Sequence, residues 1–343
     1  MVAVQKGASD IHLSPGYYPT IRVDNVLVPL SDYKILTKQE VESMAFTLLG
    51  KERKEVFLEK KESDFSYQLG QNMRFRVNVY ETKGNLATVL RYISNEIRTI
   101  DELHLPEQLK LFSKLSQGFV LVAGPTGHGK STTLAAIVQA INLERTEKII
   151  TIEDPIEYLF TPERSIIDQR EVGTDTHSFA DALRATFREN VNVIMVGELR
   201  DYDTISAAVT AAETGHLVLG SIHTNDAPQT IERILDIFPP NQQRQITSQL
   251  ANTLSGVVSQ RLIPAIRGGL MPAVELMVAN TAVRNIIREG KIEQLGIAIG
   301  TGAGAGMLSL NQSLAGLVRN QSISLEQAQF YSPNTNELQT LLK

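Results

Sequence analysis

An apolar run, Phe119-Val-Leu-Val-Ala123, leads directly into Gly124-Pro-Thr-Gly-His-Gly-Lys-Ser-Thr132, and this junction leaves the chain few choices of fold. The pattern G-x-x-x-x-G-K-[ST] requires a strand before it and a helix after it, because its backbone N–H groups cradle phosphate oxygens at the positive end of that helix. Glycines at 124, 127 and 129 allow the loop to curl into a concave nest. Gly124, Pro125, Thr126, Gly127, His128, Gly129, Lys130, Ser131 and Thr132 are accordingly expected to hold the phosphates of a nucleotide. Lys130 should reach the β- and γ-phosphates, and the Ser131 hydroxyl should complete a Mg²⁺ shell.

From Gly118 onward the chain reads strand, helix, strand, helix. Apolar runs at 119–123, 148–152, 193–197 and 217–222 lack alternation, as parallel strands covered on both faces do. A doubly wound α/β core binds ligands beyond the C-terminal ends of its strands. The residues just past these runs are the phosphate loop, Glu153-Asp154, Glu198 after Gly197, and His223-Thr224. From about residue 240 the pattern becomes mainly helical, clearest at Ala282 to Glu289 and Ser309 to Val318. Thr301 to Gly306 reads as a flexible loop, and the last dozen residues as frayed.

The first hundred residues have a different rhythm. Two β-rich runs flank an Asp24-Asn25 turn, and a helical spacing over Lys38 to Leu49 stops at Gly50. In Arg74-Phe-Arg-Val-Asn-Val-Tyr80 the apolar residues alternate with Arg74, Arg76 and Asn78, which sends both arginines to the non-core face. The resulting division is 1–98, a small mixed domain; 99–117, a polar linker with a short helix; and 118–343, the nucleotide domain.

Hydrolysis of ATP calls for an oriented water, a metal, and positive charge on the developing γ-phosphate. Glu198 is the expected base, although an acid there would also support the start of the following helix. Glu153 is the expected metal-side carboxylate, joining Ser131, with a salt-bridged strand end as the plain alternative. His216 and His223 flank the fourth apolar run and are expected to sense the γ-phosphate; a structural hydrogen bond is the competing role for either. Spacing alone leaves Arg74, Arg76 and Arg91 as a solvated strand face.

Composition narrows the field further. The absence of cysteine excludes disulfides and thiolate zinc sites and suits a cytoplasmic location. No run approaches the roughly 18 apolar residues that span a bilayer, so no direct membrane insertion is expected. A net charge of -5 speaks against a nucleic-acid partner.

Taken together, Gly7-Ala-Ser-Asp-Ile-His-Leu13, Arg74 to Asn78, the phosphate loop, Ile150 to Glu157, Gln169 to Val172, Val196 to Asp201 and Thr210 to Thr224 resemble the type II/IV secretion ATPase family, and within it the type IV pilus retraction ATPases. In that family the segments near 153, 198 and 216–223 are the Asp box, an atypical Walker B and the His box. The resemblance implies an N-terminal PAS-like α+β domain followed by a RecA-like P-loop NTPase domain with a mainly helical C-terminal part. It also implies a homo-hexamer, in which Arg74, Arg76 and Arg91 serve as arginine fingers. The partners implied are an inner-membrane pilus platform protein and a paralogous retraction ATPase, and the motor would lie at the cytoplasmic side of that membrane. Ala282 to Ile287 resembles the Ala-Ile-Arg-Asn-Leu-Ile segment of retraction ATPases, and the four-cysteine zinc insertion common in assembly ATPases is missing. Pilus extension or type II secretion is the nearest alternative, followed by a nucleic-acid translocase and a non-hydrolysing regulator. Three departures stand out: His128 replaces the usual serine, Asn190-Val191-Asn192 replaces Asp-Pro-Asp, and the first helix ahead of Ala8 is short.

Overall fold

The structure is a computed structural model that describes residues 2–23, 26–70, 73–93 and 96–343. The chain divides into two compact units, 1–96 with 155–159, and 97–154 with 160–343.

In the first unit a single antiparallel sheet carries β1 (Asp10–Leu13), β2 (Thr20–Val23), β3 (Val26–Pro29), β4 (Glu62–Leu69), β5 (Met73–Thr82) and β6 (Asn85–Ile93), in the order β3-β2-β1-β6-β5-β4. The Asp24-Asn25 turn lies outside the described residues, but the strands on either side of it pair as expected. The helix that starts at Lys38 is capped by Thr37 and Glu40, each accepting from the other's backbone N–H. It runs to Lys60 rather than stopping at Gly50. Gly50 takes φ 68°, which breaks the helix into two pieces while leaving Leu49 and Phe57 on the core side. Phe75, Val77 and Val79 are buried with Phe65 and Leu90, so the alternation of β5 places Arg74 and Arg76 on the opposite face. This is the PAS-like α+β domain.

The second unit is built on a seven-stranded sheet: β7 (Gly118–Ala123), β8 (Lys148–Glu153), β9 (Ile166–Glu171), β10 (Val193–Val196), β11 (Leu217–Ile222), β12 (Leu254–Pro264) and β13 (Leu270–Val278). Their order is β13-β12-β7-β11-β10-β8-β9, parallel throughout except for β13. Every residue of β7, β10 and β11 is buried, which is why those runs show no alternation. The helix Lys130–Glu144 follows β7 with its inner face closed by Leu134, Ile137 and Ile141. Within the second unit, Leu109 and Phe112 of the segment 107–113 are buried, with Phe112 packed on Gly256 of β12.

Beyond residue 240 the structure differs from the helical pattern in one important way. β12 and β13 form a long antiparallel hairpin that extends the main sheet, and β12 lies directly beside β7. Gly, Ser, Gln and Arg interrupt the apolar residues of β12, which hides a buried strand from a periodicity count. The C-terminus is also ordered rather than frayed: helices Leu325–Tyr331 and Thr335–Leu342 bury Ala328 and Leu338 against Ile263 and Leu314. The glycine-rich 301–306 segment is a packed 3₁₀ turn at Ala303–Ala305, where a side chain on Gly302 would strike Met307. Among the described residues no helix is long and apolar enough to cross a membrane.

Candidate functional site

Strand register assembles the site. β7, β11, β10 and β8 end side by side, with Ala123 opposite Ile222 and Val196 opposite both Gly220 and Ile152. The next residues in each chain segment are therefore neighbours. Gly197 carries Glu198 close past β8: a Cβ at 197 would sit 3.2 Å from the Ile152 carbonyl. Leu199 N–H donates to the Ser221 carbonyl (2.9 Å), and Ser221 Oγ donates back to Gly197 O (2.5 Å), which fastens Glu198 beside the end of β11.

The phosphate loop takes the geometry that the motif demands. Gly124, Gly127 and Gly129 have φ of 148°, 80° and 81°, and Gly129 leads into the helix at Lys130. Lys130 is 7% exposed, and its ammonium donates to the Pro125 carbonyl at 3.0 Å. It also lies 3.3 Å from Nδ1 of His223, while Thr126 Oγ1 is 3.4 Å from the same nitrogen. The opposite ring nitrogen, Nε2, is 3.2 Å from Glu198 Oε1. The imidazole of His223 therefore lies between the Lys130 ammonium and the Glu198 carboxylate, one ring nitrogen facing each. Lys130, His223 and Glu198 thus form a continuous polar chain.

Glu198 has a second partner. Arg200 grips it with both Nε and Nη2, the latter 2.5 Å from Oε2. Burial raises the Glu198 carboxyl, but the hydrogen bonds and charge of Arg200, together with His223, outweigh it and hold the group below the usual range. Glu198 is consequently an ionised acceptor at neutral pH. Glu153 ends β8, 5% exposed, accepting from Thr151 Oγ1 (2.6 Å) and Gln169 Nε2 (3.2 Å). Asp154 adds a further negative charge near Arg200.

His216 does not join this group. It precedes Leu217 at the start of β11, seven residues and about 20 Å of strand away from His223. Its Nδ1–H donates to the Ala211 carbonyl (2.9 Å), and its ring meets Phe187 edge-on. A histidine at the N-terminal end of a parallel strand faces the opposite edge of the sheet, so within one chain only His223 of the two lies beside the phosphate loop. The three arginines belong to the first unit. Arg76 lies directly opposite Arg91 in register. Asp64 holds Arg76 (2.5 Å), Asp10 holds Arg91 (2.9 Å), and Ser66 accepts from Arg74 (2.5 Å).

Asn190 and Asn192 also fall at the far edge. Asn190 takes φ 52°, a conformation asparagine tolerates, and Asn192 Oδ1 accepts from Lys148 N–H at 2.9 Å. Two site contacts were not visible in the pattern. Arg200 stood inside the Gly197-to-Asp201 segment without a role, and Gln260 lies on the unrecognised β12.

Residues 1–296 match the type II/IV secretion system protein family. The chain belongs to that secretion ATPase family. The match extends over most of the sequence, and the phosphate loop and RecA-like fold make this secretion ATPase a P-loop ATPase. It is 42% identical over 95% of its length to a type IV pilus retraction ATPase of Pseudomonas aeruginosa, covering 94% of that protein. A twitching motility protein of Neisseria gonorrhoeae is 41% identical over 88% of the chain and 81% of its own length. The crystal structure of a pilus retraction motor with bound ADP superimposes with a TM-score of 0.91 at 44% identity, over 99% of this chain and 97% of that one.

Proposed function

We propose that this secretion ATPase hydrolyses ATP to drive retraction of a type IV pilus. It would work as a homo-hexamer at the cytoplasmic side of the inner membrane, against the pilus platform protein and alongside any paralogous retraction ATPase. The observation that carries the catalytic reading is the chain Lys130–His223–Glu198 at the mouth of the phosphate loop. Glu198, kept ionised by Arg200, is the acceptor for the proton of the attacking water. Lys130 neutralises phosphate charge, and His223 links the two, so a change at the phosphates alters the hydrogen bonding of the base. The direction of the motor is supported by the 42% identity, over nearly the whole chain, to a retraction ATPase.

Ser131 at the first turn of the helix and the Glu153 carboxylate are oxygen donors of the kind Mg²⁺ prefers, and they are the residues that would hold it. When bound, the ion offsets charge on the phosphate oxygens. Arg74, Arg76 and Arg91 serve as trans-acting fingers from a neighbouring subunit. In that role Arg76 and Arg91 must exchange Asp64 and Asp10 for phosphate. His216 has no part in this scheme within one chain.

Loss of the gene decides the direction. Cells lacking it should carry abundant surface pili and show no pulling; bald cells would overturn retraction while leaving ATP hydrolysis by the purified protein untouched.

A further inference from the structure

The phosphate loop is fastened from behind. Leu262 N–H of β12 donates to Nδ1 of His128 at 2.9 Å, and Gln260 Nε2 donates to the His128 carbonyl at 2.9 Å. The other end of the Gln260 carboxamide accepts from Thr133 Oγ1 at 2.7 Å, so one buried side chain ties the loop to the first turn of its helix. The approach is close: a Cβ at Gly124 would lie 2.6 Å from the Gln260 carbonyl, and one at Gly129 would lie 2.8 Å from Gln260 Nε2. We propose that His128 is a positioning residue whose ring, together with Gln260, pins the phosphate loop to β12 and presets its N–H groups for phosphate. The inference rests on the nucleotide reading of this loop.

An acceptor at Nδ1 requires a neutral ring with its proton on Nε2. Burial, and then the positive charges of Arg261 on the strand side and Lys130 on the loop side, hold His128 below the ordinary histidine range, so the acceptor persists at neutral pH. A serine side chain would be shorter than the ring, whose Nδ1 meets the Leu262 amide at 2.9 Å. A loop already held in its binding shape loses less conformational freedom when the nucleotide arrives.

Three substitutions in the full chain separate this role from simple space-filling. His128→Asn places a carboxamide oxygen where Nδ1 stands, His128→Gln carries it one bond farther out, and His128→Leu fills the space with no acceptor. Affinity is read with a fluorescent ADP analogue, and KM and kcat with ATP. His128→Gln and His128→Leu should each weaken ADP binding by about threefold to tenfold, the range for one lost hydrogen bond. The loss should fall on KM for ATP more than on kcat, and amide exchange at Leu262 should quicken. His128→Asn should restore affinity to within about twofold and slow that exchange again. Equal affinities in all three variants, or Gln rescuing as well as Asn, would overturn the proposal. A parent chain that binds no nucleotide would overturn the nucleotide reading instead.

Discussion

β11 carries a histidine just beyond each end, and the two have nothing chemical in common. His223 stands between Lys130 and Glu198, while His216 is bound to its own chain through the Ala211 carbonyl and the edge of Phe187. Nothing about residue type or flanking apolar character separates them. The polarity of the sheet does: parallel strands bring their C-terminal ends, their loops and the following helix N-termini to one edge, where anions bind. The opposite edge collects turns that close the fold, and Asn190 and Asn192 are found there.

If the two edges divide catalysis from stability, substitutions should divide the same way. The largest effect is expected at Glu198: Glu198→Gln should lower kcat for ATP by about 10² to 10⁴ while ADP still binds, as loss of a general base does. Steady-state turnover together with ADP titration checks this, and turnover equal to the parent would break the assignment.

A second glutamate at the nucleotide edge sharpens the comparison, because its environment has the opposite sign. Glu275 lies opposite Ser259, accepts from Ala227 N–H at 2.8 Å, and is pushed up to about 7, by burial first and by Asp226 in addition. The folded chain therefore keeps a proton that the unfolded chain releases near the ordinary glutamate value. Stability should fall as pH rises from about 4.5 and level off above about 7. Glu275→Gln, which keeps the acceptor for Ala227, should flatten that slope and gain roughly 3 kcal/mol at pH 8. Unfolding in urea at pH 5 and pH 8 measures it; a parent whose stability is the same at both would remove the argument.

The smallest effect belongs to the far edge. His216→Ala should reduce stability by about 1 kcal/mol, a Tm shift of roughly 2–4 °C, by deleting the bond to Ala211. His216→Asn, with a donor near the Nδ1 position, should recover most of it. A collapse of single-chain nucleotide binding in His216→Ala, with Tm unmoved, would show that the two edges are not separate.

Much of the nucleotide edge was legible because each element announces itself locally. The phosphate loop is a continuous motif, and Glu153, Glu198 and His223 each follow an apolar run that only a buried parallel strand explains. β12 was not legible, since Gln260 and Arg261 break its apolar pattern and Gly256 marks only a close approach to Phe112. The helical spacing predicts an end at Gly50 where the structure has a break, because a glycine at positive φ interrupts hydrogen bonding without dictating where the chain goes next.

By itself the sequence determined which residues are available for phosphate chemistry and that a strand–loop–helix must present them, because backbone conformation and anion binding follow from local residue type. Tertiary structure decided the rest: which histidine meets Lys130, that Arg200 closes on Glu198, and that β12 backs the loop through His128. These pairings join residues up to 134 positions apart. They depend on strand order and register, which are set by the packing of the whole sheet rather than by any one segment.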